Sequence, residues 1–185
     1  MVAGSQLAFL ALVLAIGVER LAELVVNRRH ERALAARGAR EVGRGHYPVM
    51  VVLHTGLLAA APAEVLLLDR PFLPWLGWPA LALVAASTAM RWWVIRTLGD
   101  RWTTTIWVLP GAPRITTGPY RFLRHPNYLG VAVELFALPL VHTAWWTALA
   151  FGVADLWLLR HRIRVEDRAL AAAGPRDAGQ ARPLL

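Results

Sequence analysis

The chain has no cysteine and no lysine. Lack of cysteine rules out a disulfide scaffold, a thiolate zinc or iron–sulfur centre and a cysteine nucleophile. Lack of lysine makes all 20 cations arginine, against 12 acids, for a net charge of +8. Charge of either sign is scarce, at 17% of the 185 residues, while 57% are hydrophobic. Soluble domains average about 45–50% apolar. Such a composition argues against a disordered chain. The length suits one domain. The six histidines are scattered, with no His-Glu-x-x-His or comparable spacing, so no metal is expected. No internal repeat is evident, which weakens a transporter built from two related halves.

What the chain does have is long apolar runs. A helix crossing a bilayer needs about 20 mostly apolar residues. Residues 5–26, 48–68 and 72–98 qualify, and the shorter 128–141 and 143–159 read as a helical hairpin turning near Pro139. The first run is a retained span: no arginine precedes Arg20, and no small-residue cleavage site follows. Seven arginines fall in 20–44, six in 91–124 and six in 160–182, leaving only Arg70 elsewhere. Those three regions follow spans one, three and five. The positive-inside rule then places the N-terminus outside and the C-terminus in the cytoplasm. The expected fold is therefore an all-α integral membrane protein with five transmembrane helices. Residues 1–98 would form a three-span region with a cytoplasmic loop at 27–47. Residues 99–170 would form a binding core, and 171–185 an unstructured tail. Because the arginines follow topology, no nucleic-acid partner is expected, and the bilayer itself is the partner.

Residues 99–127, GDRWTTTIWVLPGAPRITTGPYRFLRHPN, carry too much proline and glycine for one helix. Trp102 and Trp107 favour a segment folded back onto the helices. A stretch of this length without regular structure is usually functional or disordered. In RFLRHPNYLG, residues 121–130, Pro126 suits the first turn of a helix. His125 and Arg124 offer donors at that helix start, Tyr128 an aromatic face and a phenol, and Gly130 room for close approach. A capped helix with interfacial anchors would read the same way. A second cluster, RHRIRVEDRAL at 160–170, sets Arg162 and Glu166 four residues apart on one face, with Asp167 beside Glu166. Intrahelical ion pairing explains the arginines better than the adjacent acids.

Charges inside spans are costly and mark functional sites by default. Arg91 and Arg96, near the inner end of span three, are candidate clamps for an acidic acceptor oxygen. Their alternatives are pairing of Arg91 with Glu19 or Glu23, and snorkelling of Arg96 to the interface. His54 reads as a hydrogen-bonded core residue, Glu64 as reaching water at the outer end of span two. His46 and Tyr47 stand where an acceptor could enter. The Trp92–Trp93 and Trp145–Trp146 pairs read as interface anchors.

From residue 115 to 170 the chain resembles the isoprenylcysteine carboxyl methyltransferase family. The likeness is carried by GPYRFLRHPNYLG at 118–130, a helical hairpin, and Arg162, Glu166, Asp167 and Leu170 at the family's Arg-x-x-x-Glu-acid-x-x-Leu spacing. The family commonly has Glu-Glu where this chain has Glu166–Asp167. The resemblance implies an integral membrane methyltransferase using S-adenosylmethionine. It implies cofactor contacts from His125, Tyr128, Gly130 and Glu166, then from Tyr120, Arg162 and Asp167. HYPVMVVLH (46–54), RWTTTIWVLPGAP (101–113) and RIRVEDRAL (162–170) look like the bacterial branch that O-methylates alkylpyrones beside type III polyketide synthases. That branch implies a lipophilic acceptor, functional pairing with such a synthase, and an inner-membrane enzyme whose active site faces the cytoplasm. RHPNYLG also resembles the core of membrane sterol reductases, which bind a nicotinamide cofactor. Those proteins are much longer, and their terminal Lys-Tyr-Gly run is absent here. A prenylcysteine carboxylate or another lipid remains an alternative acceptor.

Overall fold

The computed structural model describes residues 2–174. Five helices carry the chain: α1 (Val2–Ala36), α2 (Tyr47–Leu67), α3 (Pro74–Leu98), α4 (Pro126–Leu140) and α5 (Trp145–Ala173). The protein is all-α, as its long apolar runs imply. Proline stands in the first turn of α2, α3 and α4, where its missing N–H costs nothing. The helices follow the five apolar runs but overrun two of them. α1 continues ten residues past 26, reaching 35 residues, or about 52 Å. The expected loop from residue 27 is thus helical as far as Ala36. α5 runs unbroken through the 160–170 cluster to Ala173, so the first residues of the expected tail are helical. Residues 175–185 of that tail lie outside the described residues.

Two three-residue strands, β1 (Arg40–Val42) and β2 (Ile106–Val108), pair antiparallel with Glu41 opposite Trp107. They correct the expectation of segments without regular structure, but are too short to change the class. A two-stranded ribbon is marginal by itself, and this one leans on the helices beneath it.

α4 packs most extensively on α3 and then on α5, while α5 also lies along α2. The core draws Phe9, Val13 and Ile16 from α1, Leu57 and Val65 from α2, Val84 from α3, and Val131, Leu135 and Leu138 from α4. Gly152 lets α5 close on α4: a Cβ there would stand 2.5 Å from the Phe136 ring. The outward faces are apolar too. Leu7, Leu14, Val18, Val52, Leu67, Leu83, Leu149 and Val153 are exposed, as are Trp75 and Trp78 at the start of α3 and Trp145 and Trp146 at the start of α5. Among the described residues, one helix is long and apolar enough to cross a membrane by length and composition: Arg44–Leu67, counting its leading 3₁₀ turn, with mean hydropathy 1.8.

α4 and α5 form the expected hairpin. Its turn spans 141–144, just beyond Pro139, which belongs to the last turn of α4. Thr143, at φ 55°, anchors it by donating to the Pro71 carbonyl at 2.7 Å. Glu64 corrects an expectation. It is buried and does not reach water. Its carboxylate accepts from the backbone N–H of Trp146 and Thr147 (3.2 and 2.7 Å) and from the Thr147 hydroxyl (2.8 Å), and pairs with Arg70 at 2.9 Å. A residue of α2 thereby caps α5, satisfying N–H groups that the helix start leaves open. Replacing Glu64 by alanine strands those donors and Arg70, and is expected to cost ~2–4 kcal/mol. A fall in the thermal unfolding midpoint of the variant checks this.

Candidate functional site

The C-terminal extension of α1 presents Asn27, His30 and Glu31 at helical spacing, so the three share one face. Each holds the segment after α3. Asn27 Oδ1 accepts from the Thr104 N–H at 2.7 Å, His30 Nδ1 lies 2.8 Å from the Trp102 carbonyl, and Glu31 accepts from the Thr105 hydroxyl at 2.8 Å. Trp102 is buried against Val94 and Ile95. The 3₁₀ turn Gly118–Arg121 docks on the end of α3. Gly118 is required there: its φ is +57°, and a Cβ would meet the Thr97 hydroxyl at 2.3 Å.

Between this segment, the start of α4 and the end of α5 lies a cleft of about 90 Å³. Trp102, Trp107, Tyr120, Tyr128, Arg162 and Glu166 are among the residues that line it. Its floor is a hydrogen-bond chain. Arg162 Nε donates to the Tyr128 oxygen at 3.0 Å, and the Tyr128 hydroxyl donates to Glu166. Arg162 also donates to Met50 Sδ at 2.9 Å and to the Thr104 carbonyl. A direct Arg162–Glu166 pair, expected from their spacing, gives way to this bridge because the phenol reaches between them. His125 stacks on Tyr128 with centroids 5.6 Å apart. Asp167 stands behind His125, 3.3 Å from both its Nε2 and Arg124 Nη2. Burial, reinforced by Glu166, pushes the Tyr120 phenol up, so it stays protonated and can donate.

Three polar atoms of the lining residues are buried without a hydrogen bond: Trp102 Nε1, His125 Nε2 and Asn127 Oδ1. The Asp167 contact is out of line for His125. Unsatisfied buried groups are rare in native structures and call for an explanation. Here they are a donor, a ring nitrogen and an acceptor, all on residues that line one cleft.

The site residues expected from sequence divide clearly. Tyr120, His125, Tyr128, Arg162 and Glu166 meet in the cleft, and Asp167 supports it from behind. Gly130 does not line it. Gly130 faces α3, where a Cβ would lie 3.5 Å from Arg91 Cγ and from the Ser87 carbonyl. Arg96 is exposed at the end of α3. Asn27, His30, Glu31, Met50 and Asn127 were not anticipated as site residues. The polar stripe of the first three, continuing the apolar helix, is the sequence signal that could have found them.

Arg91 lies in a different place. With Arg20, His54 and Glu134 it lines a cavity of about 30 Å³ among α1, α2, α3 and α4, whose other lining residues, such as Leu57 and Leu138, are apolar. Glu23 takes both Nε and Nη2 of Arg91, the Nε bond being 3.1 Å. Arg20 donates to Glu23 at 2.8 Å and to both oxygens of Glu134 at 3.0 Å, and lies 3.4 Å from Glu19. The Arg91 guanidinium is therefore engaged through Nε and Nη2 by Glu23, as the pairing alternative anticipates.

An aromatic-walled cleft with both charge signs and unsatisfied hydrogen-bonding atoms suits a small polar ligand with an aromatic part. It contains no cysteine nucleophile, and among the described residues no group of three or more metal-ligating side chains occurs. The comparisons agree on the kinship. The chain is 37% identical to the uncharacterized protein YpbQ of Bacillus subtilis, over 88% of this chain and 96% of the relative. It is 32% identical to an uncharacterized protein of Haemophilus influenzae, over 90% and 95% respectively. No solved structure matches it. Residues 80–172, which hold α4, α5 and most of the cleft, match the model of a family whose name describes a methyltransferase: this chain belongs to the isoprenylcysteine carboxyl methyltransferase family.

Proposed function

We propose that the protein is an integral membrane O-methyltransferase that uses S-adenosylmethionine on a lipophilic hydroxyl acceptor, an alkylpyrone-type polyketide in particular. The observation that carries the cofactor assignment is the trio of unsatisfied atoms on Trp102, His125 and Asn127 around one cleft. The cofactor has an adenine ring, ribose hydroxyls and a zwitterionic amino acid. Trp102, Trp107, Tyr120 and Tyr128 offer aromatic walls, Arg101 and Arg162 positive charge, and Glu166 a carboxylate for hydroxyls or the amino group. The residues present therefore fit the group. When bound, it supplies a methyl group on a sulfonium sulfur for in-line displacement. The chain's own contribution is position, exclusion of water and electrostatics.

Membrane residence is supported by the many large apolar side chains exposed along α1, α2, α3 and α5. The tryptophans at the starts of α3 and α5 gather at the end opposite the cleft, as an aromatic belt would. The arginine-rich ends and the cleft then face the cytoplasm of a bacterial inner membrane, with five spans and the N-terminus outside. A soluble cofactor enters from that side and a lipid-like acceptor between helices. In this reading a type III polyketide synthase supplies the acceptor.

The test is calorimetric titration of detergent-purified protein with S-adenosylhomocysteine, with NADPH in parallel. Binding of S-adenosylhomocysteine alone is the expected result. Binding of NADPH alone would overturn the methyltransferase in favour of a reductase.

A further inference from the structure

His54 and Asp155 form a pair that cofactor binding leaves unexplained. His54 Nε2 lies 3.2 Å from Asp155 Oδ1, joining α2 to α5. Asp155 is 1% exposed, and its other oxygen, Oδ2, is buried with no partner. A buried carboxylate accepting one hydrogen bond is under-satisfied. With Nε2–H donated to Asp155, Nδ1 is left as a lone-pair acceptor. His54 makes no other hydrogen bond among the described residues, and it lines the cavity among α1, α2, α3 and α4.

Helix geometry stacks that cavity beneath the cleft. On α2, Met50 touches Arg162 of the cleft floor, and His54 lies one turn further along, about 6 Å. On α5, Asp155 lies seven residues before Arg162, on nearly the same face. On α4, Tyr128 belongs to the cleft, and Val131, three residues on, to the cavity. All three helices place His54 just below the floor on which the methyl donor would rest.

The charges there favour a group that becomes positive. Arg20 from α1 and Arg91 from α3 are outnumbered by Glu19 and Glu23 from α1, Glu134 from α4 and Asp155 from α5. That surplus raises the pKa of a bound hydroxyl: a strongly acidic enol still ionises, but a weakly acidic hydroxyl stays protonated. Such a hydroxyl needs a base before it can be methylated.

We propose that His54 is that base, with Asp155 as the residue that positions it. This rests on the methyltransferase reading above. The acceptor oxygen gives its proton to His54 Nδ1 and forms its bond to the methyl carbon. The carbon–sulfur bond of the sulfonium donor breaks, and its electron pair stays on sulfur. The positive charge ends on the imidazolium, which releases the proton to water.

The test compares wild type, His54→Gln and Asp155→Asn on two acceptors, an undecyl hydroxypyrone and the much less acidic para-dodecylphenol. S-adenosylhomocysteine affinity is measured for each variant. His54→Gln is expected to keep that affinity yet lose ~100-fold or more in rate on the phenol, within the range of proton-transfer catalysis, and markedly less on the pyrone. Asp155→Asn should show the same dependence on acceptor acidity, more weakly. A second readout needs no cofactor. With isotope-labelled histidine, the His54 Nδ1 resonance is expected to shift when para-dodecylphenol is added. Equal losses on both acceptors, no loss, or an unmoved resonance each overturn the proposal. Should His54→Gln fail to fold, Asp155→Asn and the resonance decide. Failure of the wild type to bind S-adenosylhomocysteine would instead overturn the methyltransferase reading.

Discussion

Replacing Glu166 by alanine is expected to weaken S-adenosylhomocysteine binding by about 10- to 100-fold, the range for a lost hydrogen bond to a charged group. Two effects add. The carboxylate itself is removed from the cleft wall, and the Tyr128 hydroxyl loses the acceptor that orients it. Tyr128 then turns to whatever it can reach, and the face on which His125 stacks moves with it. His125→Ala is expected to act in the same range, by removing both the stacked ring and its unsatisfied Nε2. Gly130→Ala is the control. It adds a methyl group at ordinary contact distance from α3, outside the cleft, and should leave affinity within about twofold. Calorimetry on the detergent-solubilised variants checks all three. Normal affinity in both His125→Ala and Glu166→Ala would mean that the cofactor sits elsewhere.

Arg91→Ala is expected to act chiefly on stability, by ~3–5 kcal/mol, the usual result of removing one partner from a buried ion pair. Arg91 is 7% exposed and Glu23 2%, and the pair ties α1 to α3 within the bundle. Loss of the guanidinium leaves Glu23 with Arg20 alone, which already serves Glu134. Removing both charges, as in Arg91→Leu with Glu23→Leu, should cost less than Arg91→Ala, because no buried charge is then stranded. Thermal unfolding of the single and double variants measures this coupling. An acceptor clamp predicts the opposite pattern. Arg91→Ala would then raise the KM for acceptor at little cost to stability, and the double variant would fare no better.

The chain's large features were legible because they rest on repeated local signals. Apolar runs locate all five helices, and Pro126 marks the start of α4 to the residue. The RHPNY run points to the cleft because it sits at a helix start, where backbone groups lie open, and the Glu166–Asp167 pair because adjacent acids stand out in an arginine cluster. What was missed depends on partners distant in sequence. Strands of three residues are too short for an alternating pattern, so the pairing of Glu41 with Trp107 has no local trace. Glu64 caps a helix that begins 81 residues later, and no spacing rule reaches that far. Arg162 and Glu166 stand at the distance of an intrahelical pair, yet Tyr128 of another helix takes the place between them. The overrun of α1 was hidden because hydropathy reports where apolar character stops, not where the helix stops.

That overrun sets a limit on dissection. The stretch that matches the family begins at residue 80, but the segment 102–105 is held by Asn27, His30 and Glu31, and Arg162 rests on Met50. A fragment beginning at residue 80 would keep the recognisable signature and lose the scaffolding that shapes it. The smallest working unit is therefore larger than the stretch by which kinship is recognised, and the N-terminal helices are structural members of the cleft.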